Sequence, residues 1–261
     1  MPPRKKRYSS IEFPTPVDAT PVCLSESDAL PFLLSGEIIG GHRMPWSSNY
    51  TFLVWIDIEP GKYLQAIYKP RNGEKPLWDF PSGTLYKREY ASFLLSRILG
   101  WPNVPLTFVR EGPYGIGSIQ LFIECDPQVT YFDLVADRSD ELECLAVFDL
   151  IVNNADRKAG HCILGADRRI WSIDHGLTFH IAFKLRTVMT EFWGVPIRKS
   201  LLNDMEALMK RFESQDAVMS DLSHYVEPQE LQAMSRRIVA MLENPVLPQL
   251  DIHQNIPWPF V

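Results

Sequence analysis

The sequence predicts an α+β protein with two lobes, the first rich in β-strands and the second mostly helical. Short apolar runs separated by Gly and Pro turns dominate the first half, and long segments with helical periodicity dominate from Ser139 onward. A chain of 261 residues is long enough for two lobes of about 100–150 residues each. The predicted boundaries are a flexible arm over 1–22, a first lobe over 23–125 and a second lobe over 126–261.

The first lobe is predicted to be an antiparallel sheet with one main helix. The runs "NYTFLVWIDI" and "YLQAIYKP" flank the turn "EPGK", which is typical of a hairpin. The segment "KREYASFLLSRILG" has apolar residues at helical spacing and stops at Gly100, a residue suited to a helix C-cap. Two more strands are predicted over "VPLTFVRE" and "GSIQLFIE". The predicted order is therefore β-β-α-β-β, followed by a linker near Glu124–Gln128.

The second lobe is predicted to contain three long helices and one small hairpin. The segment "DELECLAVFDLIVNN" has a broad apolar stripe at helical spacing. Two short strands around the turn "GADRR" follow it. The segments "IRKSLLNDMEALMKRFES" and "EPQELQAMSRRIVAML" predict two further helices, the second with Pro228 near its first turn. The Pro-rich tail from Asn244 is expected to pack as an extended strap.

Acidic side chains beside apolar runs identify the candidate chemistry of the second lobe. Asp156 follows the first helix, His161 comes five residues later, and Asp174 stands at the end of the hairpin. A carboxylate next to apolar packing is costly unless a partner such as a metal ion balances its charge. Phosphoryl transfer needs a carboxylate to align the attacking hydroxyl and two side chains to hold a divalent ion. This spacing predicts Asp156 as the base and His161 and Asp174 as metal ligands, although either aspartate alone is more often structural.

A second pair of charged residues lies in the first lobe. The alternation in "AIYKP" places Ile67 and Lys69 on the same face of a strand, and Glu89 lies in the first turn of the following helix. A strand lysine paired with a helix glutamate is the arrangement that aims an ammonium group at nucleotide phosphates. A solvated surface lysine is the simpler interpretation of Lys69 alone. The order Lys, Glu, Asp and then a metal pair favours a kinase.

Four segments carry a resemblance to a known family: "SGEIIGGHRMPWSSNYTFLV", "IYKPRNGEKPLWDFPSGTLYKREYASF", "FDLIVNNADRKAGHCIL" and "WSIDHG". From about Leu34 to Gly194 the chain resembles a bacterial member of the phosphatidylinositol 3-/4-kinase-like family. It is more distantly similar to HipA-type kinases, which also carry "DR" in the catalytic loop. The resemblance implies a two-lobed protein-kinase-like fold that binds ATP and Mg²⁺ or Mn²⁺ between its lobes. It also implies that Lys69 contacts the α- and β-phosphates, that Glu89 orients Lys69, and that Asp174 is the principal metal ligand.

The remaining candidate site residues follow from this resemblance and from the positions at which the chain departs from the family pattern. With no G-x-G-x-x-G pattern, backbone amides near Ser47, Ser48 and Asn49 are expected to hold phosphate. The linker is expected to contact adenine at Glu124 and Cys125, and Lys158 either neutralises the transferring phosphoryl group or faces solvent. His161 replaces the usual Asn ligand, which favours manganese or a weak second metal site.

Three functions remain open. The first is transfer of the γ-phosphoryl group of ATP to a hydroxyl of a protein or small molecule; a lipid acceptor has little support. Remote relatives imply the second, in which the fold transfers AMP or ligates glutamate. The third is a pseudokinase that binds nucleotide without turnover, and the presence of Lys69, Glu89, Asp156 and Asp174 disfavours it.

Composition limits the partners and the compartment. The formal net charge of −6 disfavours non-specific nucleic-acid binding, and no apolar run reaches the 18 or so residues of a membrane span. Four scattered cysteines without a paired motif are typical of reduced thiols in a cytoplasmic protein. After Gly176, Lys184 and Arg186 offer only a thin positive patch. The aromatic residues of that segment are expected in the core rather than in a membrane: Phe179, Phe183, Phe192 and Trp193.

Overall fold

The structure is a computed structural model that describes residues 19–45, 47, 49–214 and 217–260. Its chain divides into two compact units. Unit 1 contains the residues up to Lys75 together with Phe108–Phe122, and unit 2 contains Pro76–Thr107 together with the residues from Ile123 onward. Unit 1 is built on a sheet and unit 2 mostly on helices, which confirms the predicted fold class.

The sheet of unit 1 has the order β2-β3-β4-β6-β5, with a short strand β1 on β4. Its strands are β1 (Thr20–Pro21), β2 (Ile38–Arg43), β3 (Phe52–Glu59), β4 (Lys62–Pro70), β5 (Thr107–Gly112) and β6 (Gly115–Leu121). Strands β3 and β4 form the predicted hairpin, and Gly61 turns the chain at φ 81°. Strand β1 runs parallel to β4, so two residues assigned to the flexible arm belong to the sheet.

Helix α1 (Glu26–Ser35) is an element of unit 1 that the sequence analysis did not predict. Its N-cap Ser25 accepts a hydrogen bond from the Asp28 backbone N–H at 3.3 Å. The helix packs against β3, β4 and β6 through its buried face, which includes Ala29 and Leu33. Pro31 lies inside this helix, and a proline usually argues against a helix interior, which explains the omission.

Unit 2 contains the other helices and a second, two-stranded sheet. Its elements are α2 (Leu85–Leu99), α3 (Tyr131–Leu134), α4 (Ser139–Val152), β7 (Cys162–Leu164), β8 (Ile170–Ser172), α5 (Lys199–Glu213), α6 (Ala217–Ser223) and α7 (Pro228–Glu243). Gly100 ends α2 in the left-handed region, and Pro228 begins α7, as predicted. Leu142, Leu145 and Phe148 of α4 are at most 1% exposed and lie at the centre of the core.

Helix α2 belongs to unit 2, whereas the prediction placed it in the first lobe with the strands. A buried ion pair explains the difference, because Arg88 of α2 lies 2.6 Å from Glu230 of α7. Arg88 also donates to the Thr178 carbonyl. Glu89 is the next residue along α2, so its position is set by unit 2.

Two further expectations concerned reduced cysteines and the lack of a membrane-spanning segment. All four cysteines are free thiols, and burial raises the pKa of Cys162 to about 12. No helix in the described part of the chain combines the length and the apolar character that a bilayer span needs.

Candidate active site

The candidate catalytic loop begins where α4 ends. Asn153 follows the helix in the left-handed region at φ 57°, a conformation that asparagine tolerates better than most residues. Its fully buried side chain donates to the His180 and Ala182 carbonyls and accepts from the Lys184 N–H at 2.8 Å. The helix end therefore fixes both the start of the catalytic loop and the segment after Gly176.

Asp156, the predicted base, lies in this loop with Lys158 beside it. The Lys158 Nζ is 3.5 Å from Asp156 Oδ2, and the Asp156 side chain is 31% exposed. Loss of hydration raises the pKa of the Asp156 carboxyl to about 6; Lys158 opposes this shift and Asp174 adds to it. A carboxyl that changes charge near neutral pH suits proton transfer.

The hairpin of β7 and β8 brings His161 and Asp174 together. Cys162 pairs with Ser172 and Leu164 with Ile170, so the residues flanking the two strands meet at one end. His161 Nε2 lies 3.4 Å from Asp174 Oδ2. Asp174 adopts φ 60°, in the left-handed region that aspartate enters more readily than most residues other than glycine. The spacing in the sequence therefore predicted this pair of neighbours.

These two side chains have the separation expected of neighbouring metal ligands. Bonds of about 2.0–2.1 Å at right angles place two ligand atoms roughly 3 Å apart. The Lys158 N–H donates to His161 Nδ1 at a long 3.4 Å. Metal binding at Nε2 requires the proton on Nδ1 and therefore gives up that weak bond. Within the described ranges, no three His, Cys, Asp or Glu side chains form a cluster for a metal. A divalent ion here would therefore need oxygen ligands from nucleotide and water as well.

Arg157 is the residue of this site that the sequence analysis missed. Its side chain is fully buried and forms a two-pronged ion pair with Asp149 of α4 at 2.7 and 3.0 Å. Its guanidinium also donates hydrogen bonds to the carbonyl of His161 and to the carbonyl of Ile173, which precedes Asp174. A buried Asp149 within the apolar run "VFDLIV" was the available signal, because a buried carboxylate needs a cationic partner.

Glu89 lies against the turn that contains Asp174. Its Oε2 accepts a hydrogen bond from the His175 N–H at 2.9 Å, and its side chain is buried. A Cβ on Gly176 would lie only 3.3 Å from Glu89 Oε1, so glycine leaves room for the carboxylate. In unit 2, Glu89 thus supports the turn that contains Asp174, while its predicted pairing with Lys69 stays a prediction.

The candidate phosphate-binding residues lie in unit 1. Lys69 and Ile67 share the half-buried face of β4, while Leu64, Ala66 and Tyr68 form its fully buried face. The strand alternation was thus predicted, but the lysine lies on the less buried side.

The loop before β3 holds the other candidates for phosphate binding. Asn49 Oδ1 accepts from the Lys75 N–H at 2.9 Å, and the Ser47 and Thr51 hydroxyls are 2.8 Å apart. Ser48 lies outside the described residues.

The linker residues Glu124 and Cys125 contact the turn between β7 and β8. The Glu124 carbonyl accepts from the Ala166 N–H at 3.2 Å, and Cys125 forms an isolated β-bridge with Gly165. Loss of hydration, with the neighbouring acids Asp126 and Glu124, raises the pKa of the Cys125 thiol. These contacts are structural, and the predicted contact with adenine stays a prediction.

The segment after Gly176 is held by Asp79. Lys184 forms an ion pair with Asp79 at 2.8 Å, so it is not part of an open basic patch. Burial would raise the pKa of Asp79, but Lys184 outweighs it and lowers the pKa. Phe179 and Phe192 are buried as expected. Phe183 is 51% exposed, so the prediction that it lies in the core was wrong. The carbonyl of the preceding residue, Ala182, accepts a hydrogen bond from Asn153.

Comparison with known proteins adds a family and a fold. No family model matches the chain. It is 34% identical over 262 residues to Protein Rv2133c of Mycobacterium tuberculosis (strain ATCC 25618 / H37Rv), covering 87% of this chain and 93% of that protein. The chain belongs to the family of Protein Rv2133c. The name of that relative carries no activity, so the family leaves the chemistry to be argued from the site.

Two solved structures share the fold at low identity. The golgi casein kinase has a TM-score of 0.52 and 14% identity, over 84% of this chain and 73% of that chain. A hydra Fam20 structure with sugar has a TM-score of 0.52 and 14% identity, over 83% of this chain and 87% of that chain. The chain therefore has a protein-kinase-like fold, as expected.

Proposed function

We propose that this chain is an ATP-dependent phosphotransferase that moves the γ-phosphoryl group of ATP to a hydroxyl of a protein or small-molecule acceptor. The observation that carries the proposal is the grouping of four side chains in unit 2. His161 and Asp174 lie 3.4 Å apart, and Lys158 and Asp156 lie 3.5 Å apart. The raised pKa of Asp156, to which Asp174 contributes, links the two pairs.

Each side chain has a role in the transfer. The acceptor hydroxyl gives its proton to Asp156 as its oxygen forms a bond to the γ-phosphorus, and the bond to the β-phosphate oxygen breaks to release ADP. The Lys158 ammonium, next to Asp156, balances negative charge on the moving group. His161 and Asp174 would hold a divalent cation, Mg²⁺ or Mn²⁺, which would supply charge neutralisation for the phosphates.

The finer parts of the proposal rest on the resemblance. Lys69, Glu89, the loop containing Ser48 and Asn49, and the linker at Glu124 and Cys125 would bind ATP. The resemblance to phosphatidylinositol 3-/4-kinase-like proteins gives only weak support to a lipid acceptor, so a protein or a small molecule is the proposed acceptor. A cytoplasmic location fits the free thiols.

Labelled ATP tests the proposal directly. Purified protein is incubated with ATP labelled at the α- or γ-phosphate, in Mg²⁺ or Mn²⁺, with peptides, sugars and phosphatidylinositol vesicles as acceptors. We expect label from the γ-position alone to reach an acceptor. Label from the α-position would indicate AMP transfer, and nucleotide binding without any transfer would indicate a pseudokinase.

A matched pair of variants connects the activity to the site. Asp156→Asn should lower turnover by about 10²–10⁴-fold, the usual contribution of a general base. Asp167→Asn alters a carboxylate in the turn between β7 and β8, paired with Arg169, and should leave turnover near the wild-type value. Equal turnover in the wild type and Asp156→Asn would contradict the assignment of the base.

A further inference from the structure

The guanidinium of Arg157 bridges the two backbone segments that contain the candidate metal ligands. Its Nη1 donates to the Ile173 carbonyl at 2.8 Å and to the His161 carbonyl at 3.2 Å. Ile173 immediately precedes Asp174, and the second carbonyl belongs to His161 itself. One planar group therefore contacts the backbone of both ligand segments.

The same guanidinium is fixed from the other side by α4. Nε donates to Asp149 Oδ2 at 2.7 Å and Nη2 donates to Asp149 Oδ1 at 3.0 Å, a geometry that sets the plane of the group. Nη2 also lies 2.9 Å from His175 Nε2. Because arginine is always a donor, His175 Nε2 is the acceptor of that bond. Each guanidinium nitrogen thus has at least one partner.

We propose that Arg157 is a positioning residue that sets the separation of His161 and Asp174 and thereby the affinity of the site for a divalent ion. The inference rests on the proposed function, since it assigns a role within that site. Arg157 does not touch the reacting atoms; it acts through the backbone of its neighbours.

A role in core stability alone is the rival explanation. Lysine separates the two, because it retains the charge that balances Asp149 but has a single donor head instead of a rigid fork. Changing a residue that orients metal ligands usually costs 10–100-fold in metal affinity. Arg157→Lys should therefore remain folded but bind metal more weakly.

The test measures Mn²⁺ binding rather than activity alone. Free Mn²⁺ is followed by electron paramagnetic resonance in the presence of protein and ADP, well below the midpoint of thermal unfolding. We expect Arg157→Lys to weaken Mn²⁺ binding by about 10–100-fold. Excess Mn²⁺ should restore part of its kcat with a γ-labelled ATP assay. Arg198→Lys is the matched control, since Arg198 pairs with the largely buried Glu143 at 2.5 Å and reaches neither ligand segment.

Two further variants make every outcome informative. Asp174→Ala should remove Mn²⁺ binding; if it does not, the proposed metal site and the proposed function fail. If Asp174→Ala removes binding and folded Arg157→Lys keeps the wild-type affinity, only the role of Arg157 is overturned. Should Arg157→Lys not fold, Asp149→Asn decides, because it loosens the same guanidinium and should weaken Mn²⁺ binding in the same direction. Wild-type affinity in that variant would overturn the inference.

Discussion

Two arginine–aspartate pairs of unit 2 have the same length in opposite surroundings. Arg157 Nε lies 2.7 Å from Asp149 Oδ2, and both side chains are at most 1% exposed. Arg169 Nε lies 2.7 Å from Asp167 Oδ2, and those side chains are 51% and 40% exposed. The exposed pair competes with water, whereas the buried pair has lost its hydration and depends on its partners. Equal distances therefore describe different contributions to stability.

Replacing the arginine of each pair by alanine gives the largest expected difference in the free energy of unfolding. Arg157→Ala leaves Asp149 buried without its cation and should lower the free energy of unfolding by about 3–5 kcal/mol. Arg169→Ala should lower it by at most about 1 kcal/mol. Urea denaturation of the two variants and the wild type measures both changes. Similar losses in the two variants would show that burial does not separate the pairs.

The pH dependence of turnover extends the comparison to single carboxyls. Loss of hydration raises the pKa of Asp156 to about 6. Partial burial also acts on Asp167, but the Arg169 backbone and side chain outweigh it and lower the pKa of that group. A base must be ionised, and Asp156 is ionised above its pKa and protonated below it. We expect kcat/KM to fall by about tenfold per pH unit below 6, measured from initial rates at fixed Mn²⁺. The profile of Asp167→Asn should match the wild type, and a flat wild-type profile from pH 5 to 7 would contradict the prediction.

Local patterns predicted the elements whose signals lie within one segment. The hairpin of β3 and β4, the helix ended by Gly100 and the helix begun at Pro228 each carry a turn or cap residue. Strand β2 was not predicted, because Gly40 and Gly41 weaken a strand pattern. The close approach of β3 explains the glycine, since a Cβ on Gly41 would lie 2.5 Å from the Leu53 carbonyl oxygen.

One pair of candidate side chains was predictable from the sequence, and its support was not. The spacing predicts that His161 and Asp174 are neighbours, because a short hairpin brings its two ends together. Their role as metal ligands, and that of Asp156 as the base, stays a prediction. The contacts of Arg157 include the Asp149 carboxylate and the Ile173 carbonyl, 8 and 16 residues away in the sequence, and arginine is usually exposed. Burial of this kind is set by tertiary packing around α4; the apolar run around Asp149 indicates that this carboxylate needs a cationic partner but not which residue supplies it.

Replacing His161, the proposed metal ligand, tests the site while leaving the Arg157–Asp149 ion pair in place. Arg157 donates to the His161 backbone carbonyl, so His161→Asn changes the side chain and keeps that hydrogen bond. An amide oxygen suits Mg²⁺ better than imidazole does. We expect the ratio of turnover in Mg²⁺ to turnover in Mn²⁺ to rise on the order of tenfold. Initial rates in each metal measure the ratio, and an unchanged ratio would mean that His161 does not bind the ion.

The smallest expected effect is that of replacing an exposed aromatic residue in the tail, which lies beside the loop that contains Asp156. The Phe260 carbonyl accepts from the Ala159 N–H at 2.9 Å, which places the tail beside the candidate catalytic loop. Trp258 of this tail is 84% exposed, whereas Phe148 of α4 is fully buried. Trp258→Ala should change the free energy of unfolding by no more than about 0.5 kcal/mol, and Phe148→Ala should lower it by about 3–5 kcal/mol, both measured in urea. A loss above about 1 kcal/mol for Trp258→Ala would mean that the tail stabilises the loop through this ring. Without such a loss, the tail is held by its hydrogen bonds to Ala159, Leu185 and Thr187 rather than by this ring.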